Sequence, residues 1–170
     1  LRGIWDQTTT ASGHAFWWVN QGKTYKDELK GSLMWAPQEN KRGNALFHHK
    51  NVSAVKKGDV IAHYAGGTIL ALSIANSNGY SATSPTSFTT DDWQKQGWQV
   101  DTTYHVLSEP VHIRTISPEL TALNLSKGPI NSSGGVNQGY LYRLSPAAIE
   151  VIARAAGHLL PIPITEAIGL

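Results

Sequence analysis

The stretch Phe47-His48-His49-Lys50-Asn51 holds the residue types best suited to direct chemistry: two imidazoles, a carboxamide and a lysine. That combination is the raw material of a metal-dependent nuclease. Such a site needs a full constellation, including a further ligand from another element. No downstream histidine stands where it would complete one, and His63 falls in a run that reads as a structural strand. If the stretch were extended, adjacent histidines would leave opposite faces and could not share one metal. The expectation is therefore that one imidazole packs and the other meets solvent or phosphate. Gly134-Gly135 lacks the lysine and helix of a phosphate loop. There is no Gly-x-Ser-x-Gly elbow. The chain has no cysteine, which excludes disulfides, thiolate metal sites and a zinc deaminase centre. Asp27-Glu28 and Asp91-Asp92 are the adjacent carboxylate pairs, and both read as charge on exposed turns. No catalytic residue, metal or cofactor is expected, and the chain reads as a binding module rather than an enzyme.

A different chemistry is carried by FWWVNQGKTY at residues 16–25. Three aromatics run into two amides, a glycine and a lysine. A strand that only filled a core would not need the amides. Six tryptophans are present: Trp5, Trp17, Trp18, Trp35, Trp93 and Trp98. Any one of them is more often core than ligand contact. As a set, near amides and basic loops, they suit a cage for a planar polar group. A nucleobase is such a group, because aromatics grip its faces and amides read its edge.

These residues need elements to place them. Aromatic and β-branched runs predict strands at His14–Asn20, Ser32–Ala36, Asp59–Tyr64, Thr68–Ala75, Gln99–Leu107, Val111–Ile116 and Gly139–Leu144. Gly66-Gly67 suits a tight hairpin turn. Trp17 and Trp18, adjacent on one strand, must face opposite sides. Helical turns are expected at Tyr25–Lys30 and Thr90–Gln96, and a short helix opens at Ser117-Pro118. A longer one runs from Ser145-Pro146 to Ala156, with Ala148, Ile149, Ile152 and Ala156 on one face. Asn76–Ser87 and Ile130–Asn137 read as loops, and Asn44–Val55 gives no clear pattern. Asn20-Gln21-Gly22 has an echo in Asn137-Gln138-Gly139, also beside an aromatic-rich strand.

The bulk properties agree with one domain. The chain has 170 residues, 41% hydrophobic and 15% charged, enough for a real core and too apolar for disorder. No apolar run approaches a membrane span, and no signal peptide is evident, so a cytoplasmic location is expected. Net charge is only +2, but it is uneven. From Lys23 to Lys57, eight basic side chains stand against three acidic ones, a local +5. That face would favour a polyanion, although a solvated lysine surface explains it equally well.

Taken together, FWWVNQGKTY, SLMWAP, FHHKNV, VKKGDVIAHYAGGTILALSIA and GGVNQGYLYRLS resemble an EVE domain of the PUA/YTH-like superfamily. The likeness is nearest to the modules at the N-terminus of Mcr-type, modification-dependent restriction proteins, and it spans about residues 16–144. It implies an α+β fold, a small bent mixed β-barrel with short flanking helices. Residues 1–13 read as a polar lead-in, 14–158 as the domain and 159–170 as a tail or linker. The resemblance implies a reader that turns a modified base, a methylated adenine or cytosine, out of DNA into an aromatic cage. Reading of N6-methyladenine in RNA is the alternative. Trp35 looks like the cage residue ending the second strand, with the Ala36 backbone at the base edge. Asn20 and Gln21 stand where a polar edge contact is expected, although many EVE domains carry lysine and serine there. Trp93 or Trp98 would close the cage, and Trp18 and Tyr64 would neighbour it. Lys23, Lys26, Lys41, Arg42 and Lys50 are the candidate phosphate contacts. The start at Leu1 reads as that of a piece of a longer chain, with a nuclease or motor as effector partner.

Overall fold

The computed structural model describes residues 13–39, 46–85, 96–157 and 160–170. Seven strands are present among them: β1 Phe16–Asn20, β2 Leu33–Pro37, β3 Val60–Ala65, β4 Thr68–Ala75, β5 Tyr80–Thr83, β6 Gln96–His112 and β7 Leu141–Leu144. Five short helices flank them: α1 Tyr25–Gly31, α2 Phe47–Ala54, α3 Ile113–Ala122, α4 Pro146–Ala156 and α5 Ile162–Ile168. The sheet order is β2-β6-β4-β3-β1-β7, with β5 also on β6. β1 runs parallel to β3, and every other pairing is antiparallel. The sheet is therefore mixed, and the fold is α+β.

Curvature comes from β6. Its first part, Gln96–Asp101, lies between β2 and β5, while Thr102–His112 pairs with β4. One strand thus belongs to two sheet segments and turns the corner between them, curling the sheet into a half-barrel. The register of β4 on β6 shifts between Ile69 and Ala71, and that of β3 on β4 between His63 and Tyr64. Such irregularities add local bend. Gly66 and Gly67 have φ of 59° and 86°, which side-chain-bearing residues adopt with difficulty, so the expected Gly-Gly hairpin turn is present.

The sheet separates two cores. Phe16 and Trp18 pack with Val60, Leu72, Ile116 and Ile149 on one side. Trp17 and Val19 pack with Met34, Ala36, Ile61 and Val100 on the other. The two indoles of β1 do face opposite ways, as alternation requires. Ile164 and Ile168 of α5 join the first core.

Residues 47–54, which give no clear pattern in the sequence, form a helix, so His48 and His49 do not leave opposite faces of a strand. Three sequence expectations fail for identifiable reasons. Tyr80–Thr83 is a strand within the expected surface loop, its mostly exposed side chains giving no alternation to read. Val111–Ile116 is not a separate strand: Val111 and His112 end β6, and Ile113–Ile116 open α3. Ile116 and Leu120 are buried by α3, and that packing outweighs β-branched propensity and tolerates Pro118 inside the helix. Glu28 is not surface charge, being fully buried. The helical turn expected at Thr90–Gln96 lies outside the described residues except for Gln96, which begins β6.

Candidate functional site

Trp35 is the central residue of β2, held at both backbone and ring. Its backbone N–H donates to Glu28 Oε1 at 3.1 Å, and its indole Nε1–H donates to the Ala82 carbonyl of β5 at 3.0 Å. To reach β5 the ring crosses β6 at Gly97. A Cβ at Gly97 would stand 2.3 Å from indole Cε2 and Cζ2, so only glycine lets the ring lie there. Trp35 is 5% exposed.

The carboxyl that holds Trp35 is part of a buried polar network. Glu28 Oε1 also accepts the Tyr140 hydroxyl. Thr24 Oγ1 lies 2.7 Å from Glu28 Oε2 and 2.8 Å from the Gln21 carbonyl. One hydroxyl proton cannot serve both acceptors fully. A protonated Glu28 resolves this: its own O–H donates to Thr24, and Thr24 donates to Gln21. Burial drives the carboxyl toward that neutral form, raising its pKa to about 7 against the lowering effect of its hydrogen bonds. Burial first, and then the Glu28 charge, raise the pKa of both Tyr140 and Tyr104.

Gln21, 4% exposed, continues the network. Its Nε2 donates to Tyr104 OH at 2.6 Å, and its Oε1 pairs with His63 Nδ1 at 2.9 Å. His63 Nε2 meets Ser73 Oγ at 2.6 Å, and its ring stacks on Tyr104 with centroids 4.0 Å apart. Burial lowers the His63 pKa to about 3, so the imidazole is neutral. Both ends of the Gln21 side chain are thus engaged inside the protein.

Asn20 does something different. Its Oδ1 accepts from Trp18 Nε1 at 2.7 Å, and its Nδ2 donates to the carbonyls of Asn137 (2.8 Å) and Gly139 (2.6 Å). The backbone N–H of Asn20 donates to Tyr140 O. The two Asn-Gln-Gly segments of the sequence therefore meet across the β1–β7 edge. Beside them lies a cleft of about 190 Å³ lined by Asn20, Gly22, Tyr64, Gly66, Asn137 and Gln138, among others. Tyr64 stacks on fully buried Trp18, centroids 5.0 Å apart and planes 25° from parallel.

The residues singled out from sequence thus fall into separate places. Trp18, Asn20 and Tyr64 belong to the cleft, with Trp18 as its buried backing rather than an exposed wall. Gln21 belongs to the network that leads to Glu28 and Trp35. Asn20 and Gln21 do not converge: Asn20 ends β1, Gln21 follows it in a helical backbone conformation, and its side chain is held by Tyr104 and His63. Ala36 and Trp98 are register partners, and both pack in the second core. Trp35, one position earlier on β2, leaves the opposite face, so Trp98 cannot close over it. Trp93, Lys41 and Arg42 lie outside the described residues. Lys23, Lys26 and Lys50 are exposed, and none forms an ion pair among the described residues. Sequence reading missed Glu28, Tyr104 and Tyr140, because their partners come from distant parts of the chain.

His48 and Asn51 tie α2 to the β7 edge. His48 Nδ1 accepts from Tyr140 N at 3.0 Å, and Asn51 Nδ2 donates to Leu141 O at 2.9 Å. The His48 and His49 rings meet edge to face, 4.5 Å apart. Burial, then the neighbouring His48, lower the His49 pKa to about 4. Among the described residues, no group of three His, Cys, Asp or Glu could hold a metal, and no helix is long and apolar enough to cross a membrane.

No protein-family model matches the sequence, and no curated protein matches it. Solved structures do match in shape. A hypothetical protein from Leishmania major superposes with TM-score 0.57 at 12% identity, covering 86% of this chain and 97% of that one. Human THYN1, solved in complex with 5-methylcytosine-containing DNA, gives 0.55 at 11%, covering 85% and 99%. The Pho92 YTH domain, solved in complex with m6A, gives 0.53 at 11%, covering 90% and 92%. At these identities the likeness establishes a shared fold.

Proposed function

We propose that this protein is a reader of a modified base in nucleic acid, a methylated adenine or cytosine in DNA, turned out of the helix and stacked on Trp35. The observation that carries the reading is the placement of Trp35: an indole fixed by Glu28 at its backbone and by Ala82 at its ring, laid over a glycine. The fold supports it, since THYN1 and the Pho92 YTH domain share it and were solved with a methylated base. Stacking on an aromatic is worth about 1–3 kcal/mol per base. That is the scale of the few kcal/mol needed to extrude a base from a duplex. A methyl buried on binding adds about 0.8 kcal/mol. Lys23, Lys26 and Lys50 supply sequence-independent attraction to phosphates, with Lys41 and Arg42 as further candidates. Because Trp98 faces the second core, Trp93 is the remaining sequence candidate for the second cage wall. The protein's role is recognition. Its resemblance to modules of modification-dependent restriction proteins supports a partnership with a nuclease or motor effector, in the same chain or in a complex.

The test is equilibrium binding to matched duplexes carrying N6-methyladenine, 5-methylcytosine, 5-hydroxymethylcytosine or no mark, with an N6-methyladenine single-stranded RNA alongside. Preference for one marked DNA, lost in Trp35→Ala, is expected. Preference for the RNA would move the reading to the RNA alternative. Equal binding throughout, unchanged by the substitution, would overturn it.

A further inference from the structure

We propose that the cleft between the two Asn-Gln-Gly segments is a second nucleotide subsite, taking one unmodified, unpaired base. This rests on the nucleic-acid reading above but not on Trp35, which does not line the cleft. The floor is the Tyr64 ring, half-buried and backed by Trp18. Trp18 is held through its Nε1–H by Asn20, and Asn20 in turn holds the 137–139 loop through two carbonyls. Floor and wall are thus fixed to each other before any ligand arrives, which lowers the ordering cost of binding. Gly22 and Gly66 have nothing within 4 Å of where a Cβ would stand, so both margins are open. The exposed Gln138 side chain makes no hydrogen bond among the described residues, leaving its carboxamide to meet a ligand edge.

The lining names the ligand class. It contains an aromatic face, amides and small residues, and no charged side chain. A free phosphate or a cation would find no countercharge there. A planar heterocycle with mixed donors and acceptors finds a stacking surface and an amide for its edge. Exposed Lys23, next in sequence to Gly22, suits the phosphate attached to that base. Stacking of this kind tolerates any base, so the subsite holds the strand without reading sequence.

The experiment is fluorescence-anisotropy titration of short single-stranded DNA, unmodified and carrying each mark, against wild type, Tyr64→Leu, Tyr64→Phe and Gln138→Ala. Thermal melts verify folding of each variant. Tyr64→Leu is expected to weaken single-strand binding by about tenfold, with marked and unmarked strands losing by one common factor. Tyr64→Phe keeps the ring and stays within about twofold of wild type, and Gln138→Ala loses about threefold. Single-strand binding that is absent in wild type, or equal in folded Tyr64→Leu and wild type, overturns the proposal. So does a Tyr64→Leu loss confined to marked DNA, which would make the cleft the seat of the mark and leave the reader intact. If wild type ignores every mark yet Tyr64→Leu loses single-strand binding, the reader assignment fails and the subsite stands.

Discussion

Replacing Glu28 by Gln should remove a specific pH dependence from the protein's stability. Glu28 is fully buried, with no cationic partner among the described residues, and its pKa is raised from 4.5 to about 7. The folded state therefore holds this proton to higher pH than the unfolded state does. The stabilisation from Glu28 is complete below pH 4.5. It declines as pH rises through the interval up to about 7, and beyond that it is lost. At 1.36 kcal/mol per pKa unit, the shift corresponds to about 3 kcal/mol. The groups facing the carboxyl are Tyr140, Thr24, Gln21 and the Trp35 amide, with Tyr104 nearby. None of them titrates in that interval. Glu28→Gln reproduces the protonated acid: its Oε1 accepts from Trp35 N and Tyr140 OH, and its Nε2 donates to Thr24. Urea denaturation at pH 5 and pH 8 is the assay. Near pH 5 the variant should match wild type. At pH 8 it should be more stable, by up to about 3 kcal/mol. Parallel pH profiles for the two proteins would refute the protonated-Glu28 network. So would a variant markedly less stable at both pH values.

Four further outcomes follow from the same geometry. Gly97→Ala forces a Cβ to within 2.3 Å of the Trp35 ring, so it should cost about 1–3 kcal/mol in denaturant titration and reduce selectivity for the mark. Lys23→Ala and Lys26→Ala should each lower the slope of log affinity against log salt by about 1, with little change in the ratio of marked to unmarked binding. Asn20→Ala leaves the Trp18 N–H and two loop carbonyls without their partner, and should destabilise by about 1–3 kcal/mol in thermal or urea unfolding. Removing divalent metal with EDTA should leave both melting temperature and DNA binding unchanged, because His48 and Asn51 serve as links from α2 to the β7 edge.

How much of this was legible depended on whether the signal was local. Val60–Ala65, the Gly66-Gly67 turn and Thr68–Ala75 are written in consecutive residues, and so is the Ser145 cap before α4, whose Oγ accepts from Ala148 N. The opposite facing of Trp17 and Trp18 followed from alternation alone. The rest is set by partners distant in sequence. In α2 only Val52 is buried, so the helix carries almost no apolar stripe. β5 exists because it pairs with β6 while its side chains face solvent. Glu28 looks like any acidic residue on a charged helix until Tyr140, 112 residues away, is brought onto it. Asn20 and Gln21 were rightly marked as unusual, but sequence placed them on one ligand. Structure sends Asn20 to Trp18 and the 137–139 loop, and Gln21 to His63 and Tyr104. The resemblance named Trp35 and two possible partners; register on β6 removed Trp98 from that pair.

The most direct test of the central claim is whether a marked base leaves the duplex on binding. Duplexes with 2-aminopurine beside the marked position report this, because the probe brightens when its neighbour unstacks. The account predicts a rise in emission with wild-type protein on marked DNA. It predicts little change on unmarked DNA, and a lost response in Trp35→Ala. Tight, mark-dependent binding with no rise would mean that the mark is read inside the helix, and would contradict the account.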